Sequence, residues 1–441
     1  MKFFKKHINN FYISLLSITI FALVAFVFIS LIGEHFLIKE ESETKIYFVD
    51  NISPGHKLVV EKFNQLYEGK IKVIPIDLPF EKFSTNERKE LLVRYLRSKS
   101  DRIDIFSVDQ IWTQRFAKFV EPLGNHFPVN KREKYLEAAI ESCYFNDQLV
   151  AIPLYIDISI MYYNKEELQR RGKYASIKNE LDNFITWERF IEIGKELKTG
   201  VNPYYIFPAA DYEGLVCSYF ELLESQNYKI FSGDSINITS RESIRSLQLL
   251  IDLVHKYKLS PPDVTAYKET EADLNFISKN GIFLRNWPGF YKWYRTFISD
   301  DNPEDKYGMA PLPHFTDSKP ASIIGGWNLM ISATSKKKTA ALEFVKFLNS
   351  EEAQLIMYNN SGFLPVIKSL YESLSNNEDA KIKFFNDIFK TYVHRPYSEF
   401  YTRYSDVIAH YMHLAIKNNL SAYDVLKKAE QIINSNQIFI K

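Results

Sequence analysis

The stretch Ile323–Gln354 reads IIGGWNLMISATSKKKTAALEFVKFLNSEEAQ, and its order of elements governs how the rest of the chain is read. A glycine pair and a tryptophan lead into a short apolar strand, Leu329–Ile331. A basic turn, Ser335–Lys338, then opens a helix in which Ala341, Phe344, Val345 and Leu348 fall at helical spacing. Ser350 caps a second helix, with Glu351 and Glu352 in its first turn, where the helix dipole favours negative charge. Gly325 and Gly326 let the backbone approach a ligand closely, and Trp327 offers a flat apolar face beside it. The same tripeptide also serves as a plain turn before a strand, so neighbouring segments have to decide between the two readings.

At 441 residues the chain is too long for one compact core, which predicts two domains. Fifty-five basic against fifty-four acidic residues leave a net charge of +1, and no basic surface is concentrated enough for a nucleic-acid partner. The clusters Lys131–Arg132 and Lys336–Lys338 read as solvated helix ends. At the N-terminus, Lys2, Lys5 and Lys6 precede an uncharged apolar run from Phe11 to Gly33. About twenty residues at about 1.5 Å each span a hydrocarbon core of about 30 Å. The run ends without an Ala-x-Ala pattern, and no lipoprotein cysteine follows it. The expectation is an uncleaved signal-anchor over 1–38, N-terminus in the cytoplasm and the chain beyond it outside, with a cleaved signal segment as the alternative. A single span forms no transport pathway. Cys143 and Cys217 either pair in an oxidising compartment or remain two buried thiols; their spacing does not choose.

A polar tether, Lys39–Lys45, leads into the strand Ile46–Val49. A helix from about Gly55 follows, then the strand Ile71–Ile76, the helix Asn86–Leu96 and the buried strand Ile103–Val108. This alternation argues for an α/β sheet with right-handed crossovers, in which ligands collect at the carboxyl ends of strands. Asp109 and Trp112 lie at such an end. After a helical stretch, Lys131–Ser142, the run Gln148–Asp157 carries Pro153, which reads as a long strand passing between two bodies. Thr186 starts a helix, Gly281–Pro288 is a strand ending in a tryptophan turn, and Met309–Pro313 is a second crossing segment. Helices at about Tyr401–Lys417 and Ala422–Ile433 close the chain.

Seven motifs then fall in register: VDQIWT at Val108–Thr113, AIPLYIDISIMYYNKEEL at Ala151–Leu168, TWERF at Thr186–Phe190, FLRNWP at Phe283–Pro288, GMAPLP at Gly308–Pro313, the Gly-Gly-Trp segment, and HRPYSEFYTRYSD at His394–Asp406. In this order the chain resembles the family 1 extracellular solute-binding proteins of ABC transporters, the maltose/trehalose-type sugar binders. The resemblance implies an α/β, two-lobed periplasmic-binding-protein-like fold (type II) whose lobes close over a ligand by hinge motion. It places the first lobe at 44–156 plus 307–365 and the second at 157–306 plus 366–441.

The chemistry of the residues agrees with a sugar. A pyranose has hydroxyls at its edge and apolar C–H faces, so its site needs aromatic planes together with carboxylate, amide or guanidinium groups. Trp287 and Trp327 are stacking candidates, with Trp112 and Tyr155 behind them, and Gly325 and Gly326 give access. Asp109, Asp157 and Arg395 are candidates for pairing hydroxyls. Each tryptophan also fits ordinary core packing, and each aspartate also fits a helix cap or hinge hydrogen bond. Arg395 before Pro396 also suits a bridge between lobes, and Arg403 competes with it. Sugar binders of this type often carry a polar contact just after the first strand; in Asp50–Lys57 either Asp50 or His56 is available and neither stands out.

No local motif pairs a nucleophile with an acid/base group, so no enzyme is expected. His410-x-x-His413 has metal-ligand spacing but no companion cysteine or third histidine, and no metal or cofactor is expected. A phosphate loop is absent, so any ATP hydrolysis belongs to a partner. The reading is a carbohydrate-binding component, outside the cell at the membrane, that delivers its ligand to ABC permease subunits. The alternative is a membrane-tethered sensor that signals to a membrane partner. Which sugar is bound is not legible.

Overall fold

The computed structural model describes residues 14–29, 43–79, 82, 85–197, 202–232, 235–299, 301–376 and 379–435. Two separate sheets organise it. In the first, the strand Thr44–Asp50 pairs parallel with Ile71–Asp77 on one side and Ile105–Asp109 on the other. The ten-residue strand Ser322–Ile331 lies antiparallel to Ile105–Asp109, also pairs antiparallel with Ile152–Ile158, and meets the short strand Tyr392–Val393 at its start. The helices Pro54–Leu66 and Thr85–Arg97 connect the parallel strands. Because helices cover the sheet, these strands read as continuous apolar runs, and every residue of Ser322–Ile331 is buried.

The second sheet has four strands in the order Tyr307–Ala310, Ile160–Asn164, Phe283–Asn286 and Tyr205–Ile206. The helix Glu213–Ser225 meets it where Glu221 accepts from Arg285, and packs against Tyr401–Asn418, which pairs with Ala422–Asn434. The first crossing is abrupt. Ile158 ends a strand of one sheet, Ile160 begins a strand of the other, and the buried Ser159 joins them. Ser159 is pinned to the long strand: its N–H donates to Ile323 O at 3.0 Å, and Ile323 N–H donates to its Oγ at 2.8 Å. Pro153 opposes Asn328, where the ladder slips between Trp327 and Asn328, so the missing N–H falls at an irregularity rather than inside a regular ladder. The fold is α/β with two lobes, as the sequence implies.

Tyr307–Ala310, read as the start of the first lobe's second segment, pairs antiparallel with Ile160–Asn164 in the other sheet. The return crossing lies between Ala310 and Ser322, where Pro311 and Pro313 withhold the donors that a continued ladder needs. The helix expected over Lys131–Ser142 is broken into Val129–Arg132, Glu137–Ile140 and a 3-10 turn, Glu141–Cys143. Tyr135 bridges to Ile367 and Leu136 N–H donates to Val366 O, so pairing with a distant strand-like segment overrides local helix propensity. Of the proposed anchor over 1–38, residues 14–29 are described; they are helical with exposed apolar side chains such as Phe21 and Phe26, and the other residues of the anchor lie outside the described set. Among the described residues no helix is long and apolar enough to cross a membrane. Cys143 and Cys217 are both free and buried.

Candidate ligand-binding cleft

Residues directly opposed in an antiparallel ladder project to the same face. Trp327 opposes Asp109 on one neighbouring strand and Tyr155 on the other, and Gly325 opposes Asp157 two residues along. The first sheet therefore gathers Asp109, Tyr155, Asp157, Gly325 and Trp327 into one patch at the carboxyl end of Ile105–Asp109. Trp287 reaches this patch from the second sheet. Its backbone N–H donates to Asn286 Oδ1 at 2.8 Å, and its carbonyl accepts from Tyr162 Oη at 3.0 Å. Its ring lies so close to Gly325 that a Cβ there would stand 3.0 Å from Cζ3. Gly326 has a different task. It takes φ of +125°, and a Cβ on it would come within 2.5 Å of Tyr155 O. One glycine admits the indole and the other bends the chain.

Charge is concentrated on the same patch. Asp109 Oδ1 accepts from Ile111 N–H at 3.1 Å, which is the cap reading, and from Arg395 Nη2 at 2.8 Å, an ion pair within the protein. Arg395 also donates through Nη1 to Glu213 Oε1 at 2.8 Å, and Tyr401 Oη donates to the same oxygen at 2.7 Å. Arg395 is buried and joins an aspartate of the first sheet to a glutamate on a helix beside the second. Its Nε has no hydrogen-bond partner among the described residues. Burial, and then the nearby Asp109 charge, push the Asp157 carboxyl up to about 8, so at neutral pH it is mostly a protonated donor. Arg403 lies elsewhere, donating to Ile433 O at 3.2 Å.

Aromatic contacts brace the patch from behind. Trp112 is buried and meets Trp327 edge-on, with ring centroids 6.1 Å apart. Tyr155 is stacked on Phe363 at 3.9 Å with the rings 4° from parallel. Asp50 and His56 both face inward: His56 Nε2 lies 3.6 Å from Asp50 Oδ2, and Arg88 Nη2 donates to Asp50 Oδ1 at 3.1 Å. Burial holds the His56 pKa below its ordinary value, and Ser53 N–H donates to Nδ1, which leaves the imidazole proton on Nε2 facing Asp50. His410 pairs with Asp211 and His413 with Ala209 O, so both fasten the helix Tyr401–Asn418 to one loop. Sequence reasoning passed over Arg88, Glu213 and Phe363, whose roles depend on partners far away in the chain. A cavity of about 470 Å³, lined by Phe184, Pro311, Pro320, Phe384 and Ile388 among others, lies apart from all of these residues.

The chain's similarity to known proteins points the same way. Residues 51–355 match the family described as bacterial extracellular solute-binding protein. A "Probable ABC transporter-binding protein" of Deinococcus radiodurans is 26% identical over 340 residues, covering 73% of this chain and 76% of the relative. An arabinooligosaccharide-binding protein of Halalkalibacterium halodurans is 22% identical over 408 residues, covering 86% of this chain and 85% of the relative. Among solved structures, maltose-bound MalE3 of T. maritima superposes with a TM-score of 0.78 at 29% identity, over 89% of this chain and all of that one.

Proposed function

The chain belongs to the bacterial extracellular solute-binding proteins, and on that premise we propose that it captures a sugar or oligosaccharide between its lobes and delivers it to the permease of an ABC transporter. The observation that carries this reading is the approach of Trp287, from the second sheet, to the Gly325–Trp327 wall of the first, beside Asp109, Asp157 and Arg395. Two indoles offer planes for C–H faces, while a protonated Asp157 and Arg395 Nε, which has no hydrogen-bond partner among the described residues, offer donors to hydroxyls. Solved and curated relatives that hold maltose or arabino-oligosaccharides support the ligand class. Closure draws its free energy from tighter ligand binding in the closed arrangement. No catalytic step is assigned to the site.

Sheet membership supports dividing the lobes at Ser159 and between Ala310 and Ser322. The N-terminal segment 1–38 serves as a membrane anchor that keeps the lobes outside the cell: three lysines precede the apolar run, and the described helix 14–29 exposes its apolar side chains. Membrane fractionation of the full chain against one lacking 1–38 tests the anchor, and equal solubility of the two refutes it. A thermal-shift screen against mono- and oligosaccharides, polyamines and peptides tests the ligand class. Stabilisation by maltose or arabino-oligosaccharides is expected; stabilisation by a non-carbohydrate alone sinks the sugar reading.

A further inference from the structure

Both tryptophans of the cleft carry the same backing, built from unrelated parts of the chain. The Arg88 guanidinium carbon lies 4.4 Å from the Trp327 ring centroid, and that of Arg285 lies 4.5 Å from the Trp287 ring centroid. Both arginines are buried, at 1% and 0% exposure. Each is held by a buried carboxylate. Arg88 Nη2 donates to Asp50 Oδ1 at 3.1 Å, and Arg285 Nε donates to Glu221 Oε1 at 3.1 Å while its Nη2 bonds the same carboxylate. Arg88 comes from the helix Thr85–Arg97; Arg285 sits in the strand Phe283–Asn286, two residues before its tryptophan.

Stability does not account for this repetition. A buried ion pair gains little over well-packed apolar residues, because desolvating both charges offsets their attraction. Position does account for it. A guanidinium is planar and stacks on an indole, and a buried carboxylate holds it in register. A ring held this way has one face closed and its orientation fixed before any ligand arrives, which lowers the ordering cost of binding. The cation also draws on the ring's negative quadrupole, so a second cation on the opposite face gains less. A neutral C–H face relies on dispersion and keeps its attraction.

We propose that Arg88 and Arg285 are positioning residues: they hold the Trp327 and Trp287 rings ready for the ligand and bias both toward a neutral ligand over a cationic one. The inference rests on the assignment of these two tryptophans to the ligand site, but its test does not need the ligand. Near-ultraviolet circular dichroism of the full-length chain, minus that of Trp287→Phe, isolates the band of Trp287; Trp327→Phe does the same for Trp327. Arg285→Lys and Arg88→Lys keep the charge but lose the plane, and each is expected to remove roughly half or more of the corresponding band with far-ultraviolet signal unchanged. Bands of unchanged intensity overturn the proposal. If Arg285→Lys fails to fold, the double variant Arg285→Met/Glu221→Met, which leaves no buried charge, carries the same readout. Choline serves as the cationic probe. The absence of a saturable change in tryptophan emission supports the bias, and saturable quenching that Trp287→Phe abolishes overturns it. Sugar titrations of tryptophan-to-alanine variants separately decide whether these rings belong to the site.

Discussion

Replacing Gly325 by alanine adds one methyl group where the Trp287 ring of the second sheet lies against the first. The new Cβ would stand 3.0 Å from Trp287 Cζ3, 3.3 Å from Cη2 and 3.4 Å from Asp157 Cβ. Ordinary contact begins near 3.4 Å, so the indole has to retreat by about 0.4 Å. A pyranose stacked on an indole makes on the order of ten carbon contacts worth ~0.1–0.2 kcal/mol each, or ~1–2 kcal/mol in all. A gap of roughly half an ångström forfeits a quarter or more of that, ~0.3–1 kcal/mol, which lowers affinity about two- to fivefold. The fold should hardly respond, because nothing in the Gly325 backbone requires glycine. Gly326→Ala is the contrasting perturbation. Its φ of +125° and a Cβ within 2.5 Å of Tyr155 O strain the backbone itself, which costs ~1–3 kcal/mol or more. Calorimetric titration with the sugar found in the thermal-shift screen reads the first effect, and urea unfolding at constant slope reads the second. Undiminished sugar affinity in Gly325→Ala would refute the placement of Trp287 against the ligand.

Other perturbations follow from the same groups. Asp157 has its carboxyl raised from 3.8 to about 8, so the native state holds a proton that the unfolded chain releases. Stability is therefore greatest below about pH 4 as far as this group is concerned and declines as pH rises to about 8, by up to roughly 6 kcal/mol. Asp157→Asn should remove that share of the slope in urea titrations run at several pH values; an identical slope in both proteins contradicts the raised pKa. Arg395→Met leaves Asp109 and Glu213 without their shared cation and should cost ~3–5 kcal/mol in the same assay. A loss below about 1 kcal/mol would show that the bridge contributes little. Neither Cys143 nor Cys217 should react with a thiol reagent in the native chain, and both should react after unfolding without reductant, since both are buried and free.

The order of elements was legible because local signals carry it. Ser350 accepts from Ala353 N–H and Ser421 from Asp424 N–H, as capping chemistry predicts, and helix limits there fall within a residue of expectation. Sheet membership was less legible. Tyr307–Ala310 has a strand's pattern, but nothing within four residues states which sheet it joins. In the site, Asp109 caps a turn and also pairs with Arg395, which reaches on to Glu213; these partners lie 286 and 182 positions apart, so no local motif records them. The Asp50–Lys57 stretch resisted interpretation for a physical reason. Asp50 and His56 turn inward to meet Arg88, and a buried charge cluster drawn from three separate elements leaves no periodic trace in the sequence.

The account stands most directly on calorimetric titration of the full-length chain, Trp287→Ala and Trp327→Ala with the sugar that stabilises the wild type. Both variants should remain folded and bind at least about tenfold more weakly, a loss of about 1.4 kcal/mol. Wild-type affinity in both variants would contradict the assignment of the cleft between Trp287 and Trp327 as the place where the ligand is held.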